Sequence, residues 1–491
     1  MKVLSVASEM FPMLKTGGLA DVAGALPGAL APLGVQVRTL LPGHPKVLAA
    51  LDAGAKVVAE WPLWFGGPAR LLAGAAAGLD LLVLDAPHLH DRAGNPYLDA
   101  NGRDWPDNAQ RYAALAHAAA RIGWGELKTW KPDVLHVHDW QGALVPAYLH
   151  YLGNGGNGGK KQPATVLTIH NLAFQGQFNA AVWPQLGLPD EAFSMHGLEY
   201  FGDVGFLKAG IQFADAITTV SPTYAHEIRT HRDGMGMDAM LRWRQAAVSG
   251  IVNGIDTEVW NPATDALLPA RYGAQDLAPR LANKREIEKR FGLTADDSSP
   301  LICMISRLTE QKGIDLVAQH IDAIVATGAR LAILGSGDAG LEAALRAGAQ
   351  THPQRVALRI GYDEPLSHLL QGGSDAILVP SRFEPCGLTQ LYGLRYGCVP
   401  IVARVGGLAD TVIDANDAAL KAGVGTGIQF ADVTAEGLLE ALRRAVQLFR
   451  HQPADWLRIQ RNGMAADVGW RSSAAEYAAL YARLVAKESH K

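Results

Sequence analysis

Cysteine is scarce. Three occur in 491 residues. Cys303, Cys386 and Cys398 offer neither a metal-ligand spacing nor an even disulfide framework. That usage fits a reducing compartment, so the expected location is cytoplasmic. Concentrated positive charge is also lacking. Formal net charge is −4 and no long basic run occurs, so nucleic acid is not an expected partner. No uninterrupted apolar span is long enough to cross a membrane, and no membrane partner is expected. The opening run, Met1-Lys2-Val3-Leu4-Ser5-Val6-Ala7-Ser8-Glu9, is short and stops at an acid. It reads as a first strand and not as a signal peptide. No Asp-x-Asp pair occurs anywhere in the chain. What the chain has in quantity is apolar residues, 48% against 19% charged. With this length, that composition fits two or three domains with large cores.

The most informative stretch is Pro380-Ser381-Arg382-Phe383-Glu384-Pro385-Cys386-Gly387-Leu388-Thr389-Gln390-Leu391-Tyr392-Gly393. Ala376–Val379 before it reads as a buried strand, and Leu388–Tyr396 as a helix. Glu384 is therefore expected in a strand-to-helix loop, where open α/β sheets place their ligands. The amide N–H groups of Cys386, Gly387 and Leu388 at a helix start suit an anion or a sugar hydroxyl. The plainer alternative is that Glu384 is an acid favoured by the helix dipole.

Lys2–Ser8 reads as a parallel-type strand. Lys15-Thr16-Gly17-Gly18-Leu19-Ala20-Asp21 then leads into a helix reaching about Leu33. The twin glycines permit close backbone approach to a ligand, with Lys15 as a point charge; an ordinary glycine-rich turn is the alternative. Strand-like runs recur at Val35–Leu41, Leu79–Leu84, Val134–Val137, Thr165–Ile169 and Ala216–Val220. Helical stretches such as Gln110–Gly123 and Gly142–Leu152 lie between some of them. The alternation predicts a parallel sheet covered by helices. The run from Gly153 to Lys161 lacks the Gly-x4-Gly-Lys-Ser/Thr register and reads as a flexible surface loop. His138, Asp139 and Trp140 close one strand, and His170 and Asn171 close the next. Their convergence at C-terminal strand ends predicts a sugar or substrate site. A zinc reading of His136 and His138 is the weaker one.

Ile251–Asp256 is turn-rich and marks the approach to a second domain, after which the alternation restarts. Leu301–Ser306 is a strand, followed by Arg307-Leu308-Thr309-Glu310-Gln311-Lys312-Gly313 and a helix. Gly335-Ser336-Gly337-Asp338-Ala339-Gly340 is a formal Gly-x-Gly-x-x-Gly after a strand. It raises hydride transfer as an alternative, weakened by its position and by the acids Asp363 and Glu364 directly after Tyr362. Gly406-Gly407-Leu408-Ala409-Asp410 echoes Gly17-Gly18-Leu19-Ala20-Asp21. Ser472–Ala486 carries apolar residues at helical spacing and reads as a docking helix without chemistry.

Four motifs, Lys15-Thr16-Gly17-Gly18-Leu19, His170-Asn171, Arg307…Lys312 and Glu384-Pro385-Cys386-Gly387-Leu388, occur in this order along the chain. In this they resemble the bacterial glycogen synthases, also called starch synthases. The resemblance covers essentially the whole chain. It implies an α/β, GT-B fold, two doubly wound Rossmann-like domains facing across a deep cleft. Residues 1–248 would form the acceptor-side domain, 249–466 the nucleotide-sugar domain, and a helix at about 467–491 would dock back onto the first. The implied reaction is retaining transfer of glucose from ADP-glucose to the non-reducing 4-OH of an α-1,4-glucan. ADP-glucose, ADP and a glycogen or malto-oligosaccharide acceptor would be the partners.

By the same resemblance, Glu384, Arg307, Lys312 and His170 are the catalytic candidates. Lys15, Gly17, Gly18, Asp21, Asp139, Trp140, Asn171, Tyr362, Cys386, Gly387, Leu388 and Thr389 are the substrate-binding ones. Tyr362 would stack on adenine, and Tyr97 and Asn108 are further acceptor-side candidates. Many GT-B enzymes carry a second Glu eight residues after the first; here that position is Tyr392. A glycosidase needs two flanking carboxylates, and this stretch offers one. A metal-dependent transferase would use an Asp-x-Asp pair; here Arg307 and Lys312 can neutralise the leaving diphosphate, so no metal or cofactor is expected. Front-face retention is preferred over a covalent Glu384 intermediate. A glucan-binding protein without turnover is the competing class, and the intact Arg307, Lys312 and Glu384 argue against it.

Overall fold

The computed structural model describes residues 1–156 and 162–488. Two compact units emerge: 1–253 with 470–491, and 254–469.

The first unit is built on nine strands: β1 Lys2–Val6, β2 Gln36–Pro42, β3 Lys56–Trp64, β4 Gly67–Ala76, β5 Leu79–Asp85, β6 Val134–His138, β7 Ala164–Ile169, β8 Ala216–Thr219 and β9 Val248–Gly250. Their spatial order is β9-β8-β7-β6-β1-β2-β5-β4-β3. The strands from β9 to β5 pair in parallel. Such strands are covered on both faces, so they read as continuous apolar runs; β6 and β7 are buried at every position. β1 and β6 lie at the centre of the sheet, and their C-terminal ends carry Glu9 and Asp139. The antiparallel β3–β4 hairpin has no counterpart among the expected strands. Its register slips between Val57 and Ala59 and between Trp61 and Trp64, which breaks the two-residue alternation that betrays a strand.

The helix Gly18–Leu30 ends in a 3-10 turn, Ala31–Leu33, and packs with the helix Trp470–Glu488. That last helix inserts Trp470, Tyr477, Leu480 and Tyr481 into a core shared with Val3, Val22 and Leu26. The helix Leu144–Gly156 runs on through Gly153–Gly156, which the composition assigns to a loop; 157–161 lie outside the described residues.

The second unit has six parallel strands: β10 Leu301–Ile305, β11 Arg330–Gly335, β12 Val356–Ile360, β13 Ala376–Val379, β14 Val399–Ala403 and β15 Ile428–Phe430. Their order is β12-β11-β10-β13-β14-β15. The Gly-x-Gly-x-x-Gly segment follows β11, but packing accounts for two of its glycines. A Cβ at Gly335 would meet Ser306 O at 2.0 Å, and one at Gly337 would meet Leu308 O at 2.3 Å. Asp338 caps the next helix by accepting from Leu341 N at 3.0 Å. The motif is thus a tight strand-to-helix joint, and no chemistry is needed to explain it.

Candidate active site

In the second unit the candidate groups all follow C-terminal strand ends. Arg307 and Lys312 follow β10, Tyr362 follows β12, and Glu384 follows β13. Glu384 is buried, 5% exposed. Its Oε2 accepts from Lys312 Nζ at 2.5 Å and from Ser381 Oγ at 2.8 Å. The helix after it is Thr389–Tyr396, with Leu388 at the N-cap. The Glu384 carboxylate is therefore engaged with Lys312 and Ser381, and the helix-dipole alternative does not describe its partners.

Three loops are joined around this carboxylate. Arg382 N donates to Gln311 O at 2.9 Å, and the Arg382 guanidinium grips Asp315 at 2.5 and 2.6 Å. Gly313 has φ +69°, and a Cβ there would meet Pro380 O at 2.0 Å. Gly407 N donates to Glu384 O at 3.0 Å. Gln390 Nε2 donates to Cys386 O at 3.0 Å and Gly387 O at 2.9 Å. The Cys386 side chain is buried, so what this stretch can offer a ligand is backbone. Leu388 and Thr389 open a helix whose first-turn N–H groups have no intrahelical partner. The Arg307 side chain is exposed and makes no hydrogen bond or ion pair among the described residues. Tyr362 is 75% exposed, with its hydroxyl donating to Glu364 at 2.6 Å.

In the first unit, Asp139 sits at the end of β6 with φ +52°, a left-handed conformation that Asp tolerates better than most residues. Its Oδ1 accepts from His170 N at 2.6 Å and Asn171 N at 3.5 Å. The Asp139 carboxylate thereby ties the ends of β6 and β7 together. Burial pushes the Asp139 carboxyl up to about 7. Glu9, beyond β1, is likewise pushed up by burial to about 7, against the lowering effect of Thr16. Its carboxylate accepts from Thr16 N at 2.5 Å, which holds the Lys15–Gly18 loop. Glu9 is a further candidate that sequence reasoning missed: it reads as the end of a strand, and only the fold brings it near Asp139. Lys15 pairs with Asp21 at 2.7 Å. A Cβ at Gly17 would meet nothing within 4 Å, and its backbone is extended. The fold itself therefore does not demand glycine there.

Three candidates do not stand as expected. The Trp140 ring is packed in the core against Tyr112, Phe178 and Phe206, so it supports the Asp139 loop and does not line a ligand surface. Asn108 is consumed by structure: Nδ2 donates to Tyr97 O at 3.0 Å and Oδ1 accepts from Arg111 at 2.7 Å. Tyr97 bonds Ser8 Oγ at 2.7 Å. Among the described residues, no group of three or more His, Cys, Asp or Glu is placed to hold a metal ion.

Residues 2–243 match the family model described as starch synthase catalytic domain, and 285–452 that of glycosyl transferases group 1. The chain is 55% identical to a glycogen synthase of Rhizobium rhizogenes, over 99% of this chain and 100% of that one. It is 57% identical to one from Mesorhizobium japonicum, over 99% of each. The chain belongs to the glycogen synthase family. It is a glycosyltransferase with the GT-B fold. Among solved structures, the catalytic domain of starch synthase IV from Arabidopsis thaliana, bound to ADP and acarbose, superposes with a TM-score of 0.86. It is 32% identical and covers 99% of both chains. The sucrose-phosphate synthase of Thermosynechococcus elongatus, with a TM-score of 0.59, 17% identity and 99% coverage of both chains, shows the fold alone. No helix among the described residues is long and apolar enough to cross a membrane.

Proposed function

We propose that this family member transfers glucose from ADP-glucose to the non-reducing 4-OH of an α-1,4-glucan with retention. The observation that carries this reading is the joined cluster of Glu384, Lys312 and Ser381 beneath a helix start, with the free Arg307 guanidinium on the neighbouring loop. Such a cluster combines one carboxylate for a cationic sugar with two cations for a diphosphate.

In the reaction the bond from C1 to the diphosphate oxygen breaks, and its electron pair leaves with ADP. Arg307 and Lys312 stabilise the charge that grows there. The acceptor oxygen bonds to C1 on the face the diphosphate leaves, and its proton passes to a diphosphate oxygen. The Glu384 charge favours the oxocarbenium-like sugar. No protein nucleophile is required, and retention follows from the shared face. Asp139, His170 and Asn171 serve the glucose, and Lys15 with the Gly17–Gly18 amides serves the diphosphate. Tyr362 serves the adenine, and Asp21 the acceptor side. No metal takes part.

The likeness to the starch synthase bound to ADP and acarbose supports a nucleotide and a glucan as the two partners. The test is to incubate the protein with ADP-glucose and glycogen and assay ADP. Glycogen-dependent ADP release is expected; none would overturn the reading.

A further inference from the structure

His170 belongs to a buried chain of polar side chains that the reaction above does not explain. Ser5 Oγ lies 3.2 Å from His138 Nε2, and His138 Nδ1 lies 2.9 Å from His170 Nε2. Burial disfavours the charged form of both rings. Burial lowers His138 to about 3, and burial together with the neighbouring His138 ring lowers His170 well below the usual range. Two neutral rings that share one hydrogen bond hold one proton between them, so the direction of that bond fixes both tautomers.

Counting protons decides the direction. Ser5 is buried in β1, and Oγ makes no hydrogen bond besides that to His138 among the described residues. If His138 Nε2 carried the proton, the Ser5 hydroxyl hydrogen would have no acceptor in a buried site, which costs about 1–3 kcal/mol. The adjoining cavity is walled by Val3, Leu26, Leu30 and Val37 together with Ser5, His136, His138 and Tyr481, and at about 10 Å³ it lies at the lower limit for a water molecule. His136 cannot help, since its Nε2 is engaged by Thr168 at 2.6 Å and its Nδ1 by Tyr481 at 2.7 Å. With Ser5 donating to His138 Nε2, every proton has a partner: His138 Nδ1–H donates to His170 Nε2. His170 then carries its own proton on Nδ1, which has no partner within the protein among the described residues.

We propose that Ser5 and His138 are positioning residues that lock His170 in its Nδ1–H tautomer, so that His170 meets the bound nucleotide sugar as a hydrogen-bond donor to one of its oxygens and not as a base. This rests on the ADP-glucose reading, but its first test does not. Long-range ¹H–¹⁵N correlation on the full chain labelled in histidine, assigned with His170→Gln, reports which ring nitrogen is protonated. Nδ1–H on both His138 and His170 is expected. Nε2–H on His170 would overturn the proposal, whatever the substrate proves to be.

Kinetics supply the second test. Asn places an amide N–H where His138 Nδ1 sits, whereas Gln places its amide near Nε2. His138→Asn is expected to keep kcat within about 3-fold of wild type, while His138→Gln and His138→Leu lose roughly 10- to 100-fold with KM for glycogen unchanged. Equal loss in all three would show a purely structural role. Ser5→Ala, which changes almost no volume, covers the case of misfolded His138 variants. It is expected to leave His170 as a mixture of tautomers and lower kcat; an unaltered tautomer and kcat would refute the lock. If wild type releases no ADP, the functional reading fails and the spectrum alone judges this proposal.

Discussion

Glu384→Gln is the sharpest perturbation of the site, because it removes a charge and leaves shape and a hydrogen-bond acceptor. Lys312 Nζ lies 2.5 Å from Oε2, and the two side chains are 17% and 7% exposed. At an effective dielectric constant near 20, such a pair attracts by about 7 kcal/mol before desolvation is counted. Burying both charges offsets most of that. The Gln amide oxygen still accepts from Lys312, so the net stability loss should be about 1–2 kcal/mol. For a unit of this size that lowers the thermal midpoint by roughly 2–8 °C. Loss of the charge facing a developing sugar cation should lower kcat by roughly 10²–10³ or more.

The double variant with Lys312→Met separates the two effects. Lys312→Met alone strands the Glu384 carboxylate with Ser381 as its remaining donor and should cost about 3 kcal/mol. Adding Glu384→Gln should recover much of the midpoint and none of the turnover. ADP release and calorimetry on all four proteins measure both. Near-normal kcat in Glu384→Gln with a lowered midpoint would show that the pair is scaffold, and the chemical reasoning would be wrong.

Arg307→Ala should lower kcat by roughly 10²-fold, as loss of one charge-stabilising donor does, with the thermal midpoint unchanged because the side chain is exposed and unpaired among the described residues; a stability loss instead would assign Arg307 to the scaffold. Glu9 and Asp139 are both raised to about 7 in the folded chain. Their favourable contribution is therefore complete below their unfolded values near 4 and is lost as pH rises to 7. Glu9→Gln should flatten the fall in unfolding free energy between pH 4 and pH 7 by up to about 3 kcal/mol, and an unchanged slope would refute the raised value. Turnover should persist in EDTA; activity lost in chelator and restored by Mn²⁺ or Mg²⁺ would refute metal-independent departure of the diphosphate.

Much of the architecture was legible in the residues. Buried parallel strands have no solvent face, so runs such as Val134–Val137 and Ala376–Val379 announce themselves without long-range information. Open α/β sheets place ligands at loops after such strands, which made Glu384, Asp139 and His170 readable as candidates from local order, while Arg307 and Lys312 became catalytic candidates through the family resemblance. The β3–β4 hairpin was not readable, because its bulges destroy the period on which recognition depends. Nor was the helix through Gly153–Gly156, where glycine composition pointed to a loop.

Side-chain partners were the province of the fold. Lys312 and Glu384 are 72 residues apart and pair at 2.5 Å, and Arg382 takes Asp315 across a similar gap, because parallel crossovers return distant loops to one sheet edge. Trp140 was a substrate-binding candidate, and the fold buried it, since a ring beside Tyr112 and Phe206 gains more by leaving water than by facing it. Glu9 ends an unremarkable strand until β1 is set beside β6. The sequence by itself determined which residue types lie at which strand ends; burial and neighbours, which set whether a carboxylate is charged and which nitrogen of a histidine holds its proton, exist only once the chain has folded.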